Sequence, residues 1–304
     1  MFGMHAFLSA FLGFCVVVIA WVVLTVYLQR AALYKGQQGL FTNLGMRFRL
    51  EYYNGVESIW YAAHKQPLEG QAPVSKKERL EVESLFLPAD RQPRPCILYA
   101  HGNANTIHRA HSMNGVRHYH RMGFHVAMVE YRGYSKSPGP PNIADITSDH
   151  VKAVDLLRKC ALVKDGELHY HGYSLGGGVV ASLSRFRAPA SMVLESTFAS
   201  TMRIAEEIGL PSFLMCERYD TETTLRRYCT WPLLIYHGTL DTVIPVTHAF
   251  KNYLAAQSCH ASNNKTNNGV QMIITHRRHR NEPDGCVFWG CIQQFFKNHV
   301  TAMQ

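Results

Sequence analysis

A serine between two glycines is the first candidate for chemistry. Gly172-Tyr173-Ser174-Leu175-Gly176 is a G-x-S-x-G pattern that follows an apolar run and precedes a run of helix-forming residues. A serine on a sharp strand-to-helix turn needs very small neighbours two positions away, because the backbone there is strained and closely packed. The helix that begins after Ser174 also directs free N–H groups toward developing negative charge. The pattern therefore predicts a nucleophilic serine; a glycine-rich turn that only packs a helix on a sheet is the alternative.

Asp241 and one of two histidines are the candidate partners of this serine. Asp241 follows an apolar run that predicts a strand, and open α/β sheets hold their sites on the loops at the carboxyl ends of strands. Its carboxylate would orient a histidine and stabilise the imidazolium, whereas an aspartate that caps the next turn is the alternative. His276 and His279 both follow the apolar run Gln271–Thr275. We favour His279 as the base, because it lies further into the loop and has more freedom to reach back over the serine.

Acyl transfer also needs two backbone N–H donors for the oxyanion. Leu175, directly after the serine, would supply one of them. The other should come from the loop His101–Asn105, which follows a predicted strand. We favour Asn103 as this second donor, with Ala104 as the alternative.

Short apolar runs that alternate with helix-length segments must position these residues. They predict a mainly parallel sheet covered by helices on both faces, hence an α/β fold. The longest excursion between strands, Ser196–Trp231, suits a small lid over one end of the sheet. The predicted strands are Leu80–Leu87, Cys96–Ala100, His125–Glu130, Leu168–Gly172, Ser191–Glu195, Leu233–Tyr236 and Gln271–Thr275, and the predicted helices include Asp149–Lys159, Gly176–Arg185 and Cys286–Asn298.

Five ordered motifs together resemble the α/β-hydrolase superfamily: His101-Gly-Asn-Ala, Tyr131-Arg-Gly-Tyr-Ser-Lys-Ser, Gly172-Tyr-Ser-Leu-Gly-Gly, Glu195-Ser-Thr-Phe and His237-Gly-Thr-Leu-Asp. More narrowly, the chain resembles the membrane-anchored α/β-hydrolase-domain proteins related to protein depalmitoylases, within the prolyl-oligopeptidase clan of serine hydrolases. The resemblance implies that Ser174 is the nucleophile, Asp241 the acid and His279 the base. It likewise implies that the oxyanion donors are Asn103 and Leu175.

An uncharged apolar stretch precedes this domain. Ala6–Leu28 has 23 residues without a charge, which as a helix would measure roughly 35 Å and could cross a hydrocarbon core. A cleaved signal peptide would have a basic start and a shorter apolar run, so we expect an uncleaved single-pass anchor. Basic residues follow the stretch and none precedes it, which favours a cytosolic domain. The sequon Asn264-Lys265-Thr266 would instead fit the lumenal side.

Composition excludes several other classes of protein. Hydrophobic residues make up 47% and charged residues 17%, so the chain is not disordered as a whole. The net charge is +9, but the densest basic run, Arg277-Arg278-His279-Arg280, is short and does not indicate nucleic-acid binding. These arginines would disfavour protonation of His279 unless their side chains point away from it. The five histidines His108, His111, His118, His120 and His125 resemble a metal tract, but their polar, helical neighbours favour a solvated surface.

Three regions follow from these features: an anchor at 1–28, a juxtamembrane segment with the first strands at 29–78, and a hydrolase domain at 79–304 with its lid at about 196–231. We expect a membrane-anchored serine hydrolase that cleaves acyl esters or thioesters, of lipids or lipidated proteins, without a metal or organic cofactor. A serine peptidase of the same clan is one alternative. An inactive hydrolase-fold interaction module is the other, because fold does not imply function.

Overall fold

The structure is a computed structural model that describes residues 2–34, 57–63, 80–135, 137–263, 269–279 and 285–300. The sequon Asn264–Thr266 lies outside these residues, as does most of the juxtamembrane segment.

The centre of the molecule is a sheet of eight strands in the order β1-β2-β4-β3-β5-β6-β7-β8. β2 pairs antiparallel with both β1 and β4, and every other neighbouring pair is parallel. All seven predicted strands form, within a few residues of the predicted bounds, and β1 adds an antiparallel edge. The strands are β1 (Glu57–Ala63), β2 (Leu80–Leu87), β3 (Arg94–Ala100), β4 (His125–Val129), β5 (Val163–Tyr173), β6 (Met192–Glu195), β7 (Leu233–Gly238) and β8 (Val270–Thr275).

Helices cover both faces of the sheet. Strand β3 shows why: Cys96, Leu98 and Ala100 pack into one apolar cluster, whereas Ile97 and Tyr99 pack into the other, because successive side chains leave opposite faces. α3, α4, α6 and α7 complete the first cluster, and α2 and α8 complete the second. The helices are α1 (Phe2–Leu33), α2 (Ala110–Arg121), α3 (Ile143–Leu157), α4 (Leu175–Ser184), α5 (Thr201–Glu207), α6 (Thr221–Tyr228), α7 (Thr247–Ser262) and α8 (Gly285–His299).

The histidine-rich stretch is only in part the solvated surface that the sequence predicted, because His108, His118 and His120 are partly exposed whereas His125 is not. His125 is fully buried at the start of β4, and its ring accepts the Ala89 N–H and donates to the Gln92 carbonyl. His118 stacks on Trp289, with the ring centroids 4.3 Å apart. The His125 ring is buried because β4 lies inside the sheet, and the His118 ring packs because α2 contacts α8.

The predicted anchor lies within α1, a helix with exposed apolar side chains. The transmembrane assignment of Ala6–Leu28 is not confirmed: over the side chains that the structure describes, which begin at Phe14 in α1, no helix has the length and hydropathy needed to cross a membrane. The exposed apolar residues of α1 include Phe14, Val17, Ile19, Trp21, Val23 and Tyr27.

The predicted lid segment connects β6 to β7 and meets the end of α1. It contains α5, a short 3-10 helix (Ser212–Leu214) and α6, and α6 packs against α4 and α7. Glu217 in this segment accepts hydrogen bonds from Arg30 at 3.0 Å and from the buried Tyr34 hydroxyl at 3.3 Å. The polar end of α1 is therefore attached to the lid segment.

Close packing of α4 on the sheet gives a test of the fold. A Cβ at Gly176 would overlap the carbonyl oxygen of Ala100, so we expect Gly176→Ala to lower the free energy of unfolding by about 1–3 kcal/mol. Gly290 is the matched control in α8, since a Cβ there meets no atom within 4 Å. Gly290→Ala should raise stability by up to about 1 kcal/mol, because alanine favours helix more than glycine does. Thermal unfolding of both variants measures the difference, and equal effects would contradict this packing.

Candidate active site

Ser174 occupies a strained turn between β5 and α4. Its φ of 55° and ψ of −117° are unusual for a residue with a side chain and cost on the order of 1–3 kcal/mol. The backbone there is held from both sides: the Ser174 N–H donates to the Glu195 carbonyl at 2.9 Å, and the Thr197 hydroxyl donates to the Ser174 carbonyl at 2.5 Å. Gly172 is required as well, because a Cβ there would come within 2.5 Å of the Gly176 carbonyl oxygen.

The structure brings Ser174, His279 and Asp241 into one hydrogen-bonded chain. His279 Nε2 lies 3.0 Å from Ser174 Oγ, and His279 Nδ1 lies 2.7 Å from Asp241 Oδ2. An ionised carboxylate only accepts hydrogen bonds, so Nδ1 carries the imidazole proton and Nε2 can accept from the serine. The arrangement can therefore deprotonate Ser174 through His279.

Asp241 both caps a turn and holds the imidazole. Its Oδ1 accepts the N–H groups of Val243 and Ile244 at 2.9 and 2.8 Å, while Oδ2 faces His279 and also lies 3.3 Å from Nε2 of the buried His237. Burial raises the pKa of the Asp241 carboxyl, but hydrogen bonds from His237, His279 and the Ile244 N–H outweigh it and hold the pKa well below its ordinary value. Asp241 thus stays ionised throughout the neutral range.

His276 does not reach the serine. Its side chain is on the surface, where Nδ1 lies 3.2 Å from the Thr239 hydroxyl. Of the two candidate histidines, the structure therefore places only His279 beside Ser174.

Tyr173 is a residue of the site that the sequence reasoning missed. Its hydroxyl donates to the His279 carbonyl at 2.8 Å, and its ring stacks on the imidazole with the centroids 5.6 Å apart. The position directly before the nucleophile was the only local signal. Tyr173 fixes the loop that carries His279 against the strand that carries Ser174.

Neither of the two arginines beside His279 that the structure describes faces it. Arg278 is exposed, Arg280 lies outside the described residues, and the buried Arg277 donates to Glu195 Oε1 at 2.8 Å and to the Ser196 hydroxyl at 2.9 Å. The Arg277 guanidinium also lies over the Tyr236 ring, 4.9 Å from its centroid. Arg277 therefore anchors the His279 loop through Glu195, at the end of β6.

Of the two predicted oxyanion donors, Leu175 directly follows the serine, and Asn103 directly follows Gly102, which packs against the serine. Leu175 is the first residue of α4, so its N–H has no acceptor within the helix. In the other loop, the N–H of Ala104, the alternative donor, already donates to Asn103 Oδ1 at 2.8 Å. The Tyr134 hydroxyl donates to the same oxygen at 3.1 Å. Gly102 lies against the nucleophile, because a Cβ on it would come within 3.3 Å of the Ser174 Cβ.

Comparison with known proteins identifies relatives over most of this domain. The family model for the alpha/beta hydrolase fold matches residues 95–215. The uncharacterized protein YfhR of Salmonella typhi is 30% identical over 66% of this chain and 76% of its own length. The lysophosphatidylserine lipase ABHD12 of Xenopus tropicalis is 32% identical over 50% of this chain and 44% of its own length. The chain spans 66% of the Escherichia coli YfhR, just under two thirds.

A solved structure shows the same fold at low sequence identity. An esterase of Pyrococcus furiosus has a TM-score of 0.61 to this chain and 15% identity, over 80% of this chain and 91% of its own. At that identity the likeness concerns the fold.

The buried pair under the site predicts a pH-dependent stability. Burial raises the pKa of Glu195, but hydrogen bonding from His171 and the charge of Arg277 outweigh it and lower the pKa to about 2 from the ordinary 4.5. A depressed carboxyl pKa adds stability that is complete above the unfolded value and is lost as the pH falls toward 2. Glu195→Gln should therefore lower the free energy of unfolding at pH 7 by about 3 kcal/mol, because Arg277 loses its charged partner. The stability of this variant should also fall less steeply than that of the wild type as the pH is lowered.

Thermal unfolding of the wild type and of Glu195→Gln between pH 7 and pH 3 measures both effects. Glu222→Gln is the control, because Glu222 pairs with Arg203 and Arg226 at the surface. Parallel stability curves for the wild type and Glu195→Gln would show that the buried pair is not ionised.

Proposed function

Because the chain belongs to the α/β-hydrolase superfamily and carries a hydrogen-bonded serine, histidine and aspartate, we propose that it is a serine hydrolase that forms an acyl-enzyme on Ser174. The observation that carries this proposal is the pair of contacts made by His279, 3.0 Å to Ser174 Oγ and 2.7 Å to Asp241 Oδ2. Nucleophile, base and orienting acid in hydrogen-bond contact are the arrangement that nucleophilic catalysis requires.

Acylation begins when Ser174 Oγ attacks the substrate carbonyl and His279 Nε2 takes the hydroxyl proton. The resulting oxyanion accepts hydrogen bonds from the Leu175 and Asn103 N–H groups. When the tetrahedral intermediate collapses, His279 donates its proton to the departing alcohol or thiol. Water then repeats the sequence on the acyl-enzyme, with His279 again as base, and releases the carboxylic acid. No step requires a metal or an organic cofactor.

Asp241 contributes through its charge and its position. Its low pKa keeps it ionised, so it stabilises the imidazolium that forms in each proton transfer. Its two turn hydrogen bonds, from Val243 and Ile244, hold the carboxylate in place before the substrate arrives. Little reorganisation is then needed during the reaction, which favours catalysis.

The substrate we propose is an acyl ester or thioester of a lipid or a lipidated protein. One relative supports an acyl substrate: ABHD12 of Xenopus tropicalis is named a lysophosphatidylserine lipase. The lid segment carries exposed apolar side chains at Ile208, Leu210 and Phe213, which suit contact with an acyl chain or a lipid surface.

An inactive interaction module is the weaker alternative. Its support was the arginine-rich surround of His279, which would disturb the base if all the guanidinium groups faced it. Arg277 instead pairs with Glu195, and Arg278 points to solvent. The base therefore keeps a neighbourhood in which it can accept the serine proton.

We further propose that α1 anchors the domain to a membrane, with the domain on the cytosolic side. The uncharged stretch Ala6–Leu28 and the exposed apolar side chains of α1 support the anchor. The basic residues that follow it, Arg30, Lys35, Arg47 and Arg49, support the orientation.

Hydrolysis of short-chain p-nitrophenyl esters and acyl thioesters tests the catalytic proposal. Ser174→Ala and His279→Ala should each lower kcat about 10⁴-fold or more, since either change removes a member of a unit that acts together. His276→Ala is the matched control and should keep wild-type rates. A fluorophosphonate probe should label the wild type and not Ser174→Ala. Equal labelling of both, or loss of activity only in His276→Ala, would refute the assignment of these residues.

Resistance of the full chain to alkaline carbonate extraction from membranes tests the anchor. Ile19→Arg with Val23→Arg should release the chain, since each arginine at the centre of a span costs about 2.5–3.5 kcal/mol. Phe250→Arg with Leu254→Arg is the control, because these two side chains are also apolar and exposed, but on α7. Release of the wild type, or retention of the α1 variant, would remove the basis for an anchor.

A further inference from the structure

Behind the oxyanion loop, His101 and Glu130 form a buried pair that the reaction described above does not use. His101 Nε2 lies 2.7 Å from Glu130 Oε1, and both side chains are almost wholly excluded from solvent, with exposures of 1% and 0%. The other ring nitrogen, Nδ1, lies 2.9 Å from the Gly102 carbonyl oxygen. Both nitrogens of one imidazole thus face oxygen atoms that can accept.

The hydrogen-bond inventory decides where the protons are. A carbonyl oxygen only accepts, so Nδ1 must carry a proton. Glu130 also accepts the Tyr131 N–H on Oε1 at 3.1 Å and the Ile107 N–H on Oε2 at 3.2 Å. Backbone donors on both oxygens favour the ionised carboxylate, which leaves the proton of the short contact on Nε2. His101 is then an imidazolium.

The face of the ring supports the same charge state. The Tyr131 ring lies against the imidazole with the centroids 4.2 Å apart and the planes at 33°. An aromatic face attracts a cation, and more strongly where water is excluded. The Tyr131 hydroxyl also donates to the His101 carbonyl at 2.6 Å, so the same residue holds both the ring and the backbone of His101.

His125 provides an internal contrast. It is also buried, but its Nδ1 accepts the Ala89 N–H while its Nε2 donates to the Gln92 carbonyl, each at 2.9 Å. One donor and one acceptor specify a neutral tautomer. Burial therefore does not by itself favour the cationic form of a histidine in this chain. The two acceptors around the His101 ring favour it.

The His101 ring lies at the carbonyl end of the Gly102–Asn103 peptide unit. The Gly102 carbonyl that His101 holds belongs to the same amide as the Asn103 N–H, the proposed oxyanion donor. In a trans peptide the C=O and N–H point in opposite directions, and the described residues contain no cis bond. Holding the carbonyl end fixes where the N–H end points. A cation on the carbonyl also polarises the amide and makes its N–H a stronger donor.

We propose that His101 is a buried imidazolium, paired with Glu130, that positions and polarises the Gly102–Asn103 peptide for the oxyanion. His101 is a positioning residue, because it acts through this peptide and does not touch the substrate. The catalytic consequence rests on the proposed function, whereas the charge state does not.

Histidine-selective ¹⁵N NMR of the full chain in detergent micelles tests the charge state. At neutral pH both ring nitrogens of His101 should carry protons, and His125 should show one protonated and one bare nitrogen. A neutral tautomer at His101 would overturn the proposal, whether or not the chain hydrolyses any ester. An alkyl boronic acid, which forms a tetrahedral adduct with the serine, should then shift the His101 Nδ1 proton resonance. An unchanged resonance in the adduct would overturn the proposal that His101 acts on the oxyanion through the Gly102–Asn103 peptide.

Two substitutions separate the contacts of the ring. His101→Asn can keep a donor to the Gly102 carbonyl and lose the contact with Glu130, whereas His101→Gln can keep the contact with Glu130 and lose the donor. We expect His101→Gln to lower kcat and boronic acid affinity at least ~10-fold with KM little changed, a loss below that for deleting an oxyanion donor. His101→Asn should retain more of both. Wild-type kcat and boronic acid affinity in His101→Gln would refute positioning.

The wild-type NMR measurements decide the proposal if neither variant folds. A wild type that neither hydrolyses esters nor binds the boronic acid would instead refute the proposed function.

Discussion

A serine in a left-handed backbone conformation can persist only where its surroundings leave no room for another arrangement. Gly172 and Gly176 let α4 approach the sheet so closely that a methyl group at either position would collide with backbone. Hydrogen bonds from Thr197 and to Glu195 then fix the carbonyl and N–H of Ser174. The direction of Oγ, the start of α4 and the position of the Leu175 N–H all follow from this one packed turn.

Buried charges hold the loops around that turn. Glu195 at the end of β6 binds Arg277, which leads into His279, and Glu130 at the end of β4 binds His101, which begins the oxyanion loop. The His101–Glu130 pair joins the ends of the neighbouring strands β3 and β4, whereas the Glu195–Arg277 pair joins the ends of β6 and β8 across β7. Removal of one partner leaves the other charge buried and uncompensated, so these pairs specify one loop conformation more than they add stability.

Local signals were sufficient to predict the strands of the fold and to select Ser174 and Asp241 as candidates, because strand ends, glycines and the order of motifs are visible in the sequence. Contacts between distant residues were not visible. The sequence favoured His279 over His276 on loop geometry alone, whereas in the structure the His279 carbonyl accepts a hydrogen bond from Tyr173, 106 residues away along the chain. The burial of Arg277 and His125 depends on elements that pack over them, because arginine alone favours solvent and histidine is intermediate.

The span of the site along the chain has a consequence for folding. Ser174 and His279 are 105 residues apart, and His279 and Asp241 are 38 apart, so the three side chains meet only after β5 through β8 have paired in register. Contacts this distant in sequence form late, since loop closure precedes any gain from them. Partly folded chains will lack the assembled triad, and the appearance of labelling at Ser174 during refolding will report completion of the C-terminal half of the sheet.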